Sequence, residues 1–388
     1  MATKRRGRLS QARVVTAVSG LALLLVFAQM VRDMLGPHHY TFTPPWTAHE
    51  LRVLALFVMA GAGTLFGIAI DRASAVKRVL VAVVLVLVGL PVALVLVARV
   101  SLYVLNRTNG TVVSSGETRA HLLHVPRSYD PARPTPLVIS LHALALWPAA
   151  QMEITHWNHV ADEHGFIVVY PSATMQVLLF RIWRMKPEAD LNADVRYISD
   201  LIDSLEAAYS IDPARIYVNG FSNGGAMAFA LSCTLSDRIA AVGTVSAAND
   251  GLPASWCTDT RPVPFITFHG TADPGVLYDG GQSGWSPRPF PSVRKWAADW
   301  ARRNQCGSAP TETPAASDVT RLEYADCAEG ASVVLYTVRG GGHTWPGGRP
   351  LPEWLTGPNS RSIDATREMW AFFRDHPMRS RQRVAELD

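Results

Sequence analysis

With 388 residues the chain is longer than a single hydrophobic core usually grows, so an appended segment is expected beside the main domain. The formal charge of +4 is small for this size, and the basic residues gather at the chain ends instead of forming an aromatic-interleaved stripe, which argues against a nucleic-acid partner. The four cysteines, Cys233, Cys257, Cys306 and Cys327, lack the paired close spacing of a zinc site, so no metal is expected, and their even number invites disulfides.

Residues 14–31, 53–70 and 79–98 are apolar runs without a charged residue, each about the length a helix needs to cross a hydrocarbon core. They predict a membrane anchor over 1–104 with three transmembrane helices, and the lipid bilayer as a partner. A signal peptide is the rival reading of the first run, but no small-residue cleavage site follows it. Lys4, Arg5, Arg6, Arg8 and Arg13 precede the first run, Arg72, Lys77 and Arg78 separate the second from the third, and residues 36–50 hold neither Lys nor Arg. This bias predicts a multi-pass protein of the cell membrane with a cytoplasmic N-terminus and, after an odd number of crossings, an extracytoplasmic remainder. The cysteines all lie in that remainder, where disulfides form.

Residues 105–117, rich in Thr, Ser and Gly, read as a solvated linker, followed by a folded domain over 118–376 and a polar tail over 377–388. Short β-branched runs predict buried strands at 136–141, 166–170, 215–219, 240–246, 264–268 and 332–338. Helix-period stripes at 194–209, 292–304 and 361–373 fall between or after them, with Trp296 and Trp300 read as core. Strands alternating with helices imply an α/β class domain on a mostly parallel sheet, whose ligands bind beyond the carboxyl ends of the strands.

Those ends carry the chemistry. Gly220-Phe221-Ser222-Asn223-Gly224-Gly225 stands between a strand and the helix-forming Ala226-Met227-Ala228-Phe229-Ala230, the strand, turn and helix of a nucleophile elbow. Small residues belong there because strand and helix approach too closely for side chains. A Ser that simply caps the helix is the plainer reading. Ser222 as nucleophile needs a general base, and His343, in the loop Gly340-Gly341-Gly342-His343-Thr344-Trp345 after the last strand, fits better than His269 or His376. Asp273, after the strand at 264–268, is the candidate acid, with Asp279 and Asp250 in reserve; alone, an Asp before Pro more often forms a turn. The backbone N–H of Asn223 is one candidate oxyanion donor. Trp345, Trp285 and Tyr278 are candidates for an aromatic rim that binds substrate, and Leu178, Leu179, Phe180, Ile182 and Trp183 for an apolar wall or a structural cluster.

Ile211-Asp212-Pro213-Ala214-Arg215-Ile216-Tyr217 leading into the serine turn, then His269-Gly270-Thr271-Ala272-Asp273, then Gly341-Gly342-His343-Thr344-Trp345-Pro346-Gly347, resembles the polyhydroxybutyrate depolymerase-like and feruloyl or acetylxylan esterase-like branch of the α/β-hydrolases. The resemblance covers residues 118–375 and implies an α/β-hydrolase fold, a Ser222, Asp273, His343 triad, ester hydrolysis through an acyl-enzyme, and no cofactor. One departure stands out: the branch usually carries His-Gly after its early strand, whereas here His142 is followed by Ala143 and Leu144. The N–H of Ala143 or Leu144 remains available as the second oxyanion donor. Four cysteines allow three pairings. Proximity along the chain, with what the resemblance implies, favours Cys233 with Cys257 and Cys306 with Cys327.

The reading that follows is a membrane-anchored extracytoplasmic serine esterase with an ester substrate and no evident obligate protein partner. An acyltransferase that passes the same acyl group to a lipid or glycan, and a catalytically inactive membrane-bound binding module, are the alternatives.

Overall fold

The computed structural model describes residues 107–378 apart from 174, 178–179, 185–190, 249–256, 258–260, 287–288 and 308. The three expected spans, Leu178, Leu179, Asp250 and most of the expected tail lie outside the described residues. Among the described residues no helix is long and apolar enough to cross a membrane.

The strands are β1 (Gly110–Ser114), β2 (Glu117–His124), β3 (Thr135–Leu141), β4 (Ile167–Pro171), β5 (Met175–Val177), β6 (Phe180–Ile182), β7 (Ile211–Phe221), β8 (Ala241–Val245), β9 (Phe265–Gly270), β10 (Thr311–Ala316), β11 (Val319–Tyr324) and β12 (Val333–Val338). The helices are α1 (Pro148–Thr155), α2 (Trp157–His164), α3 (Leu191–Ala208), α4 (Asn223–Thr234), α5 (Val293–Arg303), α6 (Glu353–Thr356) and α7 (Ala365–Asp375). A 10-stranded sheet runs in the order β1-β2-β4-β3-β7-β8-β9-β12-β11-β10, with β5 and β6 forming a separate hairpin.

Every pairing from β4 through β3, β7, β8 and β9 to β12 is parallel, and the flanking β1, β2, β11 and β10 are antiparallel. Parallel strands need both faces covered, and the alternation of side chains supplies two apolar faces. Leu137, Ile139 and Leu141 of β3 bury against α3, α4 and α5, where Tyr197, Met227 and Trp300 lie. Val138 of β3 and Val168 and Tyr170 of β4 bury on the other side against α1, α2 and α7, with Trp157 and Phe373. Trp296 and Trp300 are core residues as expected, Trp300 stacking on Phe265 at 3.8 Å between ring centroids. This mostly parallel mixed sheet between two helical layers is an α/β-hydrolase-like fold.

Each of the six expected strands is present within a few residues. The segment expected as a linker is not all solvated chain, because Gly110–Ser114 forms an edge strand in register with β2. Thr111, Val112 and Val113 are β-branched, which suits a half-buried strand. The last helix starts at Ala365, later than its apolar stripe suggested, because Asp364 caps it by accepting hydrogen bonds from the N–H groups of Thr366 and Arg367. Disulfides join Cys233 to Cys257 and Cys306 to Cys327, closing separations of 24 and 21 residues.

Candidate active site

Parallel register brings the carboxyl ends of β7, β8, β9 and β12 to one edge: Phe221 pairs with Val245, Val245 with Phe268, and Gly270 with Val338. Ser222 leaves β7 with φ 53° and ψ −117°, a conformation costly for any residue with a side chain. Two bonds hold it there. Its N–H donates to the carbonyl of Val245 at 2.9 Å, and its carbonyl accepts from Ala226 at 3.0 Å. The flanking glycines are required by contact, since a Cβ on Gly220 would strike the backbone of Gly224, and one on Gly224 would strike the carbonyls of Leu141 and His142. The second contact also draws the β3 exit against the start of α4.

Asp273 lies in the loop after β9 and His343 in the loop after β12. The imidazole Nδ1 of His343 stands 2.8 Å from Oδ2 and 3.0 Å from Oδ1 of Asp273. Both residues are buried. Oδ1 also accepts from the N–H groups of Gly275 and Val276, each at 2.8 Å. Burial alone would raise the carboxyl of Asp273, but hydrogen bonds from His269 and His343 outweigh it and hold the group well below the usual carboxylate range. The His343 N–H donates to the carbonyl of Thr356 at 2.6 Å, and its ring lies between Phe221, at 5.3 Å, and Trp285, at 5.0 Å and edge-on. Phe221 adjoins Ser222 in the chain. The imidazole thus contacts the residue immediately before the serine.

His269, the less suited base by its place in the sequence, contacts other groups. Its Nε2 lies 2.7 Å from the carbonyl of Val276 and 3.3 Å from Oδ2 of Asp273, at the rear of the acid. The signal in the sequence was the i,i+4 spacing of His269 and Asp273 across the turn at Gly270. His376 is hydrogen-bonded to Ser332 before β12, at the opposite end of the sheet. Asp279 is exposed.

Asn223 opens α4, where first-turn N–H groups are left free by the helix geometry. Across from it, the β3 exit turns sharply at Ala145, φ 62°, whose N–H donates to the carbonyl of Arg181. Among the described residues neither the N–H of Ala143 nor that of Leu144 is engaged by a backbone carbonyl. His142 is buried, with Nε2 accepting from the N–H of Ala173 at 3.1 Å and Nδ1 donating to the carbonyl of Ala143 at 2.8 Å. Burial lowers its pKa to about 4, against a smaller upward effect of that carbonyl, so it is a neutral structural group at ordinary pH.

The expected aromatic rim reduces to one residue. Trp285 is 46% exposed beside His343. Trp345 is 1% exposed and its indole N–H donates to Thr366, which makes it core. Tyr278 is half-buried behind the acid with its phenol bonded to Thr337. Trp183 is likewise buried and not part of an open wall. A cleft of about 580 Å³ lined by His156, Arg349, Arg361 and Asp364 contains none of Ser222, Asp273 and His343. Among the described residues no group of acidic, His or Cys side chains is arranged to hold a metal.

The family described as Esterase PHB depolymerase matches residues 121–258, a span that contains Ser222 and ends before Asp273. A putative esterase, NocK, from Nocardia uniformis subsp. tsuyamanensis is 32% identical over 278 residues, covering 65% of this chain and 78% of that protein. The chain belongs to this esterase family. Feruloyl esterase B of Piromyces equi is 29% identical over 58% of this chain, which spans only 42% of that longer relative. Among solved structures, an acetyl xylan esterase from Aspergillus awamori aligns with 68% of this chain and 98% of its own, at 17% identity and a TM-score of 0.49. As a family member the chain is a carboxylic ester hydrolase of the serine hydrolase type. The family match begins beyond the apolar N-terminal runs.

Proposed function

We propose that the chain is a membrane-anchored serine esterase in which Ser222 is the nucleophile, His343 the general base and Asp273 the group that orients it. The observation that supports this reading is the bond between His343 Nδ1 and the buried Asp273 carboxylate, 2.8 Å, in a fold that also holds Ser222 at φ 53° at the head of α4. With Nδ1–H donating to Asp273, Nε2 keeps its lone pair for the Ser222 proton. The hydroxyl oxygen attacks the ester carbonyl carbon as that proton passes to Nε2. The tetrahedral oxyanion is received by the N–H of Asn223 together with those of Ala143 and Leu144. Collapse expels the alcohol, protonated by the imidazolium, and water repeats the sequence on the acyl-enzyme. Trp285 offers the acyl or aryl group an exposed apolar face beside His343.

The charge bias around the three apolar runs supports an anchor over 1–104 and an extracytoplasmic catalytic domain. Both disulfides lie in that domain and suit the same side. Feruloyl esterases among the relatives make aromatic acid esters the first substrates to try. Ser222→Ala is expected to abolish both turnover of p-nitrophenyl esters and labelling by a fluorophosphonate, with an unchanged melting curve. Labelling that persists in this variant assigns the nucleophile elsewhere.

A further inference from the structure

We propose that Trp183 is a positioning residue that aims both arms of the oxyanion hole, an inference that rests on the serine-esterase reading above. The donors come from separate segments, Ala143 and Leu144 after β3 and Asn223 at the head of α4, and an oxyanion gains from them only if all converge within hydrogen-bond distance of it. Trp183 touches both arms. Its indole N–H donates to the carbonyl of His142 at 2.9 Å. Its backbone N–H donates to Oδ1 of Asn223 at 2.9 Å, and the Asn223 amide returns a bond to the Trp183 carbonyl at 3.4 Å.

The first bond acts through peptide geometry. The carbonyl of His142 and the N–H of Ala143 belong to one planar trans unit, so fixing one fixes the direction of the other on the opposite side. In the same way the carbonyl of Ala143, held by His142 Nδ1 at 2.8 Å and by the Leu146 N–H at 3.1 Å, sets the direction of the Leu144 N–H. The Trp183 indole thus aims the Ala143 donor, and the Asn223 side chain ties the start of α4 to the same segment. Trp183 is itself fixed: it is 1% exposed, its ring lies 5.3 Å from that of His142, and the next N–H, of Arg184, donates to Oδ2 of Asp194 at 2.9 Å. Asp194 is paired with Arg119 at 2.7 Å, both buried, and the guanidinium lies 3.9 Å over Tyr197. A charge pair at the first turn of α3 thereby braces the residue that spans the hole.

The test uses the full chain and p-nitrophenyl acetate, with kcat expressed per site titrated by a fluorophosphonate so that unfolded molecules drop out. Trp183→Phe removes the indole N–H while keeping most of the ring. Asn223→Ala removes the acceptor but leaves the Asn223 backbone N–H. Each is expected to lower kcat about tenfold with KM changed less than about twofold, less than the loss of a whole donor because the donors remain but are misaimed. The double variant is expected to fall no further than the more impaired single variant, since both cut the same clamp. A normal kcat per titrated site in Trp183→Phe, or losses that multiply in the double variant, overturns the inference. A wild-type chain without turnover, or a Ser222→Ala variant that retains it, overturns the esterase reading instead, so the two failures are told apart.

Discussion

Asp273 and His343 meet from the ends of two neighbouring strands, β9 and β12, each needing only the short loop after its own strand to reach the other. The candidate oxyanion donors are assembled differently, from the β3 exit, the start of α4 and the segment around Trp183, joined by side chain to backbone bonds across about 40 residues of sequence. In a parallel sheet, adjacency of strands delivers the first kind of contact almost without further specification. The second kind depends on individual hydrogen bonds, any one of which can fail without disturbing the sheet.

The largest effect is expected where the acid and the base meet. Asp273→Asn keeps the shape of the side chain and an acceptor for Gly275 and Val276, but it can present an amide N–H to His343 Nδ1 and favour the wrong tautomer. A fall in kcat of about 10⁴-fold is expected, measured on p-nitrophenyl acetate. A fall below tenfold would place the orienting group elsewhere. The same substitution has a signature in stability. Because the folded-state carboxyl of Asp273 lies below its unfolded value, it stabilises the fold above about pH 4, and that contribution is lost as pH falls from there toward the folded value. The gap in denaturant midpoint between wild type and Asp273→Asn should therefore be widest near pH 7 and should narrow progressively as pH is lowered below about 4.

A smaller effect is expected behind the acid. His269→Leu strips the donor from the buried carbonyl of Val276 and from Oδ2 of Asp273. An unsatisfied buried carbonyl costs about 1–3 kcal/mol, and a loosened acid should lower kcat about tenfold. His269→Gln, whose amide nitrogen reaches a similar position, should recover most of both. If the leucine and glutamine variants behave alike in calorimetry and in rate, the donor is not what matters at this position.

The difference between the two halves of the site also marks what was legible in the sequence. The parallel strands announced themselves as β-branched runs, and Ser222, Asp273 and His343 stood just beyond three of them, in loops short enough to fix their place. Edge strands such as Thr311–Ala316 do not stand out, because a strand exposed at nearly every position carries no apolar run. For a related reason the sequence leaves Trp345 and Tyr278 open between a substrate rim and ordinary packing. An aromatic residue in a loop reads the same whether its ring faces solvent or, as with Trp345, turns inward to pack on Phe221 at 6.2 Å. The bonds from Trp183 to His142 and to the Asn223 side chain were not legible, since no spacing rule links an indole to a carbonyl 41 residues away.

The smallest expected effect concerns the residue that departs from the family pattern. Ala143→Gly restores the His-Gly sequence usual in this branch, and the change sits at one of the candidate donors. If the backbone at this position were set by the side chain, the substitution would matter a great deal. The peptide planes are instead held by bonds to carbonyl oxygens, that of His142 by the Trp183 indole and that of Ala143 by His142 and Leu146, and none of these involves the methyl group. Glycine keeps the N–H and adds only backbone freedom, so kcat should stay within about threefold of wild type, with a slightly lower melting temperature. A rise of tenfold or more would mean that the methyl group obstructs the hole and that side-chain identity, not the hydrogen-bonded clamp, sets its geometry.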